Sequence, residues 1–177
     1  MSFFDQYAFR PTGSTTAALI TLLQTIANLL ATDPFVIVIA LHFSKAFDTV
    51  KHNALLSKMA LLNIPDSIYN WFVDFFTDRK HCTIYHGLTP QVVDISASVI
   101  QGSADGPVSY LISASNLSTA TPGNSMHKYA DDTYIVIPAR TALSPEKLSL
   151  ITLQSAWAQR NNLKLNRTKS VEIIFEF

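Results

Sequence analysis

The sequence contains few charged residues and no excess of either sign. Lys plus Arg and Asp plus Glu number 13 each among 177 residues, and charged residues make up 15% of the chain, against about 25% in an average domain. A protein that binds nucleic acid by itself usually has a clear basic excess, so this balance argues against strong polynucleotide binding. Low charge with a mean hydropathy of +0.20 predicts an unusually apolar surface, and hence self-association or a missing neighbouring domain or partner.

Disulfides, signal sequences and membrane spans are also missing. The single cysteine, Cys82, excludes an internal disulfide, and residues 1–5 lack the basic region and apolar run of a signal peptide. The most apolar stretch, residues 34–41, is far shorter than the roughly 20 residues that a membrane span needs. We therefore expect an intracellular protein, cytoplasmic or nuclear, with no membrane role. Its length suits a single compact unit.

The hydrophobic periodicity predicts an α+β fold with an antiparallel sheet covered by helices. Residues 35–41 form a short β-branched run, which is typical of a central strand buried on both faces. Ser14 is the predicted cap of a helix whose apolar stripe comprises Leu19, Leu22, Leu23, Ile26 and Leu30. Further helices are predicted over residues 53–62, 65–78 (stripe Ile68, Trp71, Phe72, Phe75), 106–117 and from 144 to about 161. The predicted strand pairs are residues 80–85 with 91–96, 126–130 with 133–137, and 163–165 with 170–177.

Asp131 and Asp132 stand at the tip of the predicted 126–137 hairpin. Adjacent carboxylates on a tight turn can hold divalent cations, which prefer oxygen ligands. Two such residues are also common turn formers, so by themselves they indicate a metal site only weakly.

Five segments, in order from residue 6 to residue 169, resemble the motifs of reverse transcriptases of the non-LTR, LINE-like retrotransposon type. Tyr129-Ala130-Asp131-Asp132-Thr133 resembles the active-site hairpin, Phe43-Ser44-Lys45-Ala46-Phe47-Asp48 the first palm motif, and Gln101-Gly102-Ser103 with Gly106-Pro107 the second. Gln6-Tyr7-Ala8-Phe9-Arg10 resembles the fingers motif, and Leu163-Lys164-Leu165-Asn166 with Lys169 the fourth palm motif. The resemblance covers nearly the whole chain.

This resemblance implies a right-hand polymerase palm with part of the fingers and no thumb. Residues 1–34 would be the fingers entry, and residues 35–177 the palm with a fingers insertion at about 53–99. The implied activity is RNA-directed DNA polymerisation, a nucleotidyl transfer with an RNA template, a DNA primer and dNTP as partners. Mg²⁺ or Mn²⁺ would be held by one Asp of the first motif and two of the hairpin, and catalysis would consist chiefly of positioning and charge neutralisation.

The same resemblance assigns expected roles to individual residues. Asp131 and Asp132 match the metal ligands, and Phe47 matches the ring that stacks under the deoxyribose. Phe43, Gln101 and Gly102 match the nucleotide pocket, and Lys169 a lysine that assists the leaving pyrophosphate. Alternatives remain open, with Phe47 as a core ring, Gln101 as a polar residue at a helix entry, and Lys169 as a surface charge.

The chain departs from the family pattern at His42, where the family has a catalytic Asp. That Asp bridges two ions, whereas an imidazole offers one nitrogen to one ion, and Mg²⁺ prefers oxygen ligands in octahedral geometry. Losing several kcal/mol of charge stabilisation slows a reaction about a thousandfold. We therefore expect weak metal binding and a degenerate active site. Asp105, a second departure, is expected to face solvent.

Two other functions remain open. One is a non-catalytic palm-derived module that binds nucleic acid or a protein partner. The other is an active polymerase in which Mn²⁺, which tolerates imidazole better, compensates for His42.

Overall fold

The computed structural model describes residues 3–87, 91–100, 102–142 and 157–176. Within these ranges the helices are Thr15–Leu30 (α1), His52–Met59 (α2), Asp66–Phe76 (α3) and Asp105–Ala114 (α4), with a 3-10 turn at Ala139–Thr141. The strands are Phe35–Leu41 (β1), Phe43–Ser44 (β2), Lys80–His81 (β3), Val93–Asp94 (β4), Ser125–Tyr129 (β5), Asp132–Pro138 (β6), Lys164–Leu165 (β7) and Val171–Glu176 (β8).

The main sheet has four antiparallel strands in the order β5-β6-β1-β8. β1 lies between β6 and β8, and Val36, Ile37 and Val38 are at most 2% exposed, because a strand in this position has a neighbour on each edge and packed side chains on each face. The predicted central strand and the predicted α+β fold with an antiparallel sheet are confirmed.

Helices cover both faces of this sheet. One face packs Val36, Val38 and Val136 against Ile26 of α1. The other carries Ile37, Ile135 and Ile137 into the larger core beneath α2 and α4. The two sets alternate along β1 and β6, because successive side chains of a strand point to opposite faces.

α1 begins as predicted, since the Ser14 hydroxyl accepts a hydrogen bond from the Ala17 amide at 3.0 Å. The predicted apolar stripe is only partly buried. Ile26 is 4% exposed, but Leu19 and Leu23 are each 55% exposed. Both leucines line an open pocket between α1 and the β5-β6 hairpin, together with His127 and Tyr134, so they meet solvent there.

α3 is also rotated relative to the prediction. Ile68 and Trp71 of the predicted stripe are 48% and 52% exposed, and the core contacts come instead from Tyr69, Phe72, Phe75 and Phe76. The spacing of the aromatic residues fixed the helix, but two overlapping stripes were available and the packing selected one.

The last strands were paired wrongly in the prediction. β7 pairs with β2 and β8 pairs with β1, so the two do not pair with each other. The residue 80–96 hairpin is confirmed in shortened form, with two residues in each strand. The predicted helix from residue 144 lies mostly outside the described residues, and residues 157–160 are helical.

The described surface is apolar, as the composition predicts. Leu19, Ile20 and Leu23 of α1 are more than half exposed, and Val171 and Ile174 of the edge strand β8 are 51% and 53% exposed. Within the described residues, no helix is long and apolar enough to cross a membrane.

Candidate active site

The β5-β6 hairpin presents the two adjacent carboxylates at its turn. Tyr129 and Asp132 are the last cross-strand pair, so Ala130 and Asp131 form a two-residue turn. Ala130 has a φ of 55°, a left-handed conformation that Gly or Asn usually supplies in such hairpins. Asp131 is half-buried and Asp132 is exposed.

His42 lies beside this turn. The last pair between β1 and β6 is Leu41 with Thr133, so continuing the register brings His42 opposite Asp132. Its backbone is fixed, because its amide donates to Ser170 Oγ at 3.2 Å and its carbonyl accepts from the Asn166 amide at 2.8 Å. A side chain at position 42 is therefore presented at the edge of the sheet that carries the carboxylates.

The electrostatics of the turn are those of two like charges with a nearby imidazole. Although Asp132 is largely exposed, the neighbours that cover part of its carboxyl, and then the negative charge of Asp131, raise the pKa of this group, whereas His42 acts to lower it. The Asp132 carboxyl therefore holds its proton more tightly than an isolated aspartate does, and a cation beside the turn would relieve the repulsion between the two charges.

Tyr110 of α4 lies beneath the site. Its hydroxyl pKa is raised by burial and further by the charges of Asp131 and Asp132, which makes it a neutral hydrogen-bond donor at physiological pH. Phe47 stacks on Tyr110 with ring centroids 4.7 Å apart and is half-buried. The two rings form a floor between the core and the carboxylates.

The residues present do not fit a two-ion metal centre. Within the described residues, no group of three or more His, Cys, Asp or Glu side chains is arranged to hold a metal ion. Asp131 and Asp132 supply the oxygen donors that Mg²⁺ and Mn²⁺ prefer, but the neighbouring side chain at position 42 offers one imidazole nitrogen and no carboxylate.

The other predicted site residues are dispersed. Phe43 is 1% exposed, and its ring lies 5.8 Å from that of Trp157 in the core. Lys169 is exposed, on the turn from Asn166 to Ser170. This turn is adjacent to position 42, because its first residue, Asn166, donates its amide to the His42 carbonyl. Gln101 lies outside the described residues.

Gly102 begins the loop that leads into α4. It is exposed with a φ of 85°. Ser103 Oγ donates to the Ile100 carbonyl and accepts from the Gly106 amide at 3.0 Å, which ties this loop to the first turn of α4. The expectation that Asp105 faces solvent is only half right. The residue is half-buried, and its Oδ2 atom is buried without a hydrogen-bond partner in the described structure.

Three residues of this site had no role predicted from the sequence. Gln6 is 3% exposed and contacts the turn at Ala130. Lys128 is 3% exposed and pairs with Asp5 at 2.8 Å. Tyr110 was assigned only to a helix. The sequence did not indicate that Gln6 and Lys128 are buried, because their hydrogen-bond and ion-pair partners, Ala130 and Asp5, are distant from them in the chain.

A family model described as reverse transcriptase (RNA-dependent DNA polymerase) matches residues 2–174. The chain belongs to the reverse transcriptase family. The match spans the hairpin, the β1 strand and the fingers motif, so the five sequence motifs and the family assignment agree. Proteins of this family bind an RNA template and generally use divalent metal ions.

One curated relative is the RNA-directed DNA polymerase from mobile element jockey of Drosophila melanogaster. It is 28% identical to this reverse transcriptase domain over an alignment of 144 residues, which covers 76% of this chain and 16% of the relative. The predicted resemblance to the non-LTR retrotransposon type is thereby confirmed. The chain spans about a sixth of that relative's length.

The fold is also found in solved telomerase structures. Telomerase from Candida tropicalis, in complex with a TWJ fragment of telomeric RNA, superimposes with a TM-score of 0.74 at 17% identity over 96% of this chain and 30% of that one. Apo telomerase from the same organism, truncated from its C-terminal domain, gives a TM-score of 0.72 at 18% identity over 98% of this chain and 36% of that one. These likenesses establish the polymerase palm fold.

Proposed function

We propose that this reverse transcriptase domain retains the nucleotide and template surface of its family but has lost most of its nucleotidyl-transfer activity. The observation that carries the proposal is the position of His42. Continuing the β1-β6 register brings it opposite Asp132, and it is close enough to influence the pKa of the Asp132 carboxyl. A bridging carboxylate at this position is what the two-ion centre of the family requires.

The remaining residues have distinct roles in this proposal. Asp131 and Asp132 bind one divalent ion weakly, and the ion would supply charge neutralisation at a nucleotide's phosphates. Phe47 on Tyr110 provides an apolar surface for the sugar, and the loop at Gly102 leads to the base. Lys169 lies on the exposed turn from Asn166 to Ser170, and the bond from Asn166 to the His42 carbonyl supports a role for this lysine near the phosphates.

The test compares Mn²⁺ binding by the wild type, His42→Asp and the neutral control His42→Asn. A unit negative charge about 4 Å from a dication contributes about 2 kcal/mol even at the dielectric constant of water, which corresponds to roughly a thirtyfold gain in affinity. We therefore expect His42→Asp to bind at least tenfold more tightly, and His42→Asn to resemble the wild type. Isothermal calorimetry and paramagnetic broadening of the Asp131 and Asp132 amides measure this.

Two outcomes would contradict the proposal. Equal affinities for all three proteins would show that position 42 does not face the Asp131-Asp132 turn. Efficient Mn²⁺-dependent extension of a DNA primer on an RNA template by the wild type would show instead that imidazole is tolerated. The metal titration does not depend on any domain outside this chain. It therefore distinguishes a loss of activity caused by weak metal binding from one caused by weak binding of the template-primer duplex.

The second candidate function is a non-catalytic module for a protein partner. The observation that favours it is β8, an edge strand with Val171, Ile173 and Ile174 between 43% and 53% exposed. An exposed apolar edge is a template for strand addition. A complex that survives high salt would support this function, whereas salt-dependent retention on immobilised RNA would favour the nucleic-acid surface.

A further inference from the structure

The Gln6 carboxamide contacts both backbone groups of Ala130 in the turn that carries Asp131. Its Oε1 accepts from the Ala130 amide at 3.0 Å, and its Nε2 donates to the Ala130 carbonyl at 3.3 Å. The same Oε1 accepts from the Ala8 amide at 3.0 Å. With 3% of its surface exposed, Gln6 makes these bonds away from competing water, where a hydrogen bond is electrostatically stronger.

The turn needs such support. Ala130 has a φ of 55°, a region that a residue with a Cβ atom enters only at a cost. Strained backbone of this kind persists where the surrounding structure over-determines it, and it is concentrated at functional sites. The carboxamide of Gln6 bonds to the amide and to the carbonyl of Ala130, one on each side of its Cα atom, so a change in the φ and ψ angles of Ala130 would break at least one of the two bonds.

Gln6 is itself held rigidly. Its chain segment runs along the free edge of β5, where the Lys128 amide donates to the Asp5 carbonyl at 2.6 Å and the Tyr7 amide to the Lys128 carbonyl at 2.9 Å. The buried Lys128 ammonium pairs with Asp5 at 2.8 Å. Arg10 closes the loop by donating to the carbonyl of Gln6 at 3.1 Å.

We propose that Gln6 is a positioning residue of the carboxylate turn, whose carboxamide holds Ala130 in its left-handed conformation and thereby fixes the direction of the Asp131 side chain. The segment that precedes α1 is then mechanically coupled to the metal-binding turn through one side chain. This inference rests on the proposed function where it treats Asp131 as a metal ligand, but the coupling itself is a property of the fold.

The first test is native-state hydrogen exchange of the wild type by NMR. A hairpin-tip amide exposed to solvent exchanges near the random-coil rate, whereas the Ala130 amide, bonded to a buried carboxamide, should exchange at least a hundredfold more slowly. Its protection should match that of the Tyr7 amide, which pairs with the same hairpin. Exchange of Ala130 near the random-coil rate would overturn the proposal without any variant.

The second test is Gln6→Leu, which keeps the side-chain size but removes the donor and acceptor. The matched control is Gln24→Leu, since Gln24 is exposed on α1 and bonds to Asn28. We expect Gln6→Leu to remove most of the protection of Ala130 and to weaken Mn²⁺ binding at least fivefold in the His42→Asp background. Adding Ala130→Gly, which adopts the left-handed conformation freely, should restore at least half of the lost binding on a logarithmic scale.

The outcomes are distinguishable from those of the proposed function. A folded Gln6→Leu variant with unchanged Ala130 exchange would sink the positioning role, whatever the metal does. If Gln6→Leu does not fold, the milder Gln6→Met also removes the carboxamide oxygen that accepts from the Ala130 amide, and unchanged Ala130 exchange in that variant would count equally against the proposal. If His42→Asp gains no affinity but the exchange results hold, the proposed function fails and the positioning role stands.

Discussion

Phe47 is the residue at which the two sequence interpretations make different measurable predictions. Its ring stacks on Tyr110 at 4.7 Å with an interplanar angle of 25°, packs against the main core and is half-buried. Its carbonyl accepts from the Val99 amide at 3.0 Å, so the backbone stays in place when the side chain is truncated. The ring therefore belongs partly to the core and partly to the open site.

The cost of Phe47→Ala follows from this intermediate burial. Truncating a fully buried Phe costs about 3 to 5 kcal/mol, and an aromatic pair adds about 0.5 to 1.5 kcal/mol beyond area. The half-buried Phe47 ring has one stacked partner, so its loss should lower the free energy of unfolding by about 2 to 3 kcal/mol. For a chain of this size each kcal/mol shifts Tm by about 2 to 4 °C, so we expect a fall of roughly 5 to 10 °C.

Urea denaturation followed by circular dichroism measures the free energy of unfolding. Phe47→Leu is the matched variant, since it keeps most of the volume and should lose less than about 1.5 kcal/mol. Tyr85→Ala is the control for a solvent-facing ring, because Tyr85 is 71% exposed and its loss should stay within about 0.5 kcal/mol. A loss below about 1 kcal/mol for Phe47→Ala would refute the packing argument.

The sugar contact is then tested in the stable Phe47→Leu protein. If the ring lies under a deoxyribose, this variant should bind ribonucleotides and deoxyribonucleotides with more nearly equal affinity than the wild type, as read from NMR chemical-shift titrations. An unchanged ratio of the two affinities would reject the sugar contact and leave Phe47 as a core residue.

Two further predictions concern α4 and α2. A Cβ atom at Gly106 would lie 2.7 Å from the Ile100 carbonyl oxygen, so Gly106→Ala should lower the free energy of unfolding, measured in urea, by ~1 to 3 kcal/mol. Helix propensity alone predicts the opposite, a gain in stability. A measured gain would therefore refute the clash. Burial lowers the pKa of Lys58 to about 8, against about 10.4 in the unfolded chain. Between these values the unfolded chain holds the extra proton, so the free energy of unfolding of the wild type, relative to Lys58→Met, should rise with pH. The difference in unfolding free energy between the two proteins should rise by less than about 1.4 kcal/mol per pH unit, because Lys58 is only partly buried. If the two proteins showed the same dependence of stability on pH, the lowered pKa of Lys58 would be contradicted.

The sequence by itself determined the elements and the family. Ser14 capped its helix as predicted, because capping is a contact across three residues. The β-branched run at Phe35–Leu41 predicted a buried strand, the Asp131-Asp132 pair predicted a turn between two short strands, and both predictions are confirmed. Motif order then identified the reverse transcriptase palm, since linear spacing survives in a sequence even where single residues change, as at His42.

The tertiary structure decided which faces and which partners those elements have. Two overlapping stripes on α3 were both plausible helix faces, and only packing buried Phe76 instead of Trp71. β8 pairs with β1 and not with β7, because the strand order and register of the whole sheet determine which strands pair. Gln6 bonds to Ala130 across 124 residues, and no local pattern records a contact of that range. The support of the carboxylate turn is therefore a property of the folded chain alone.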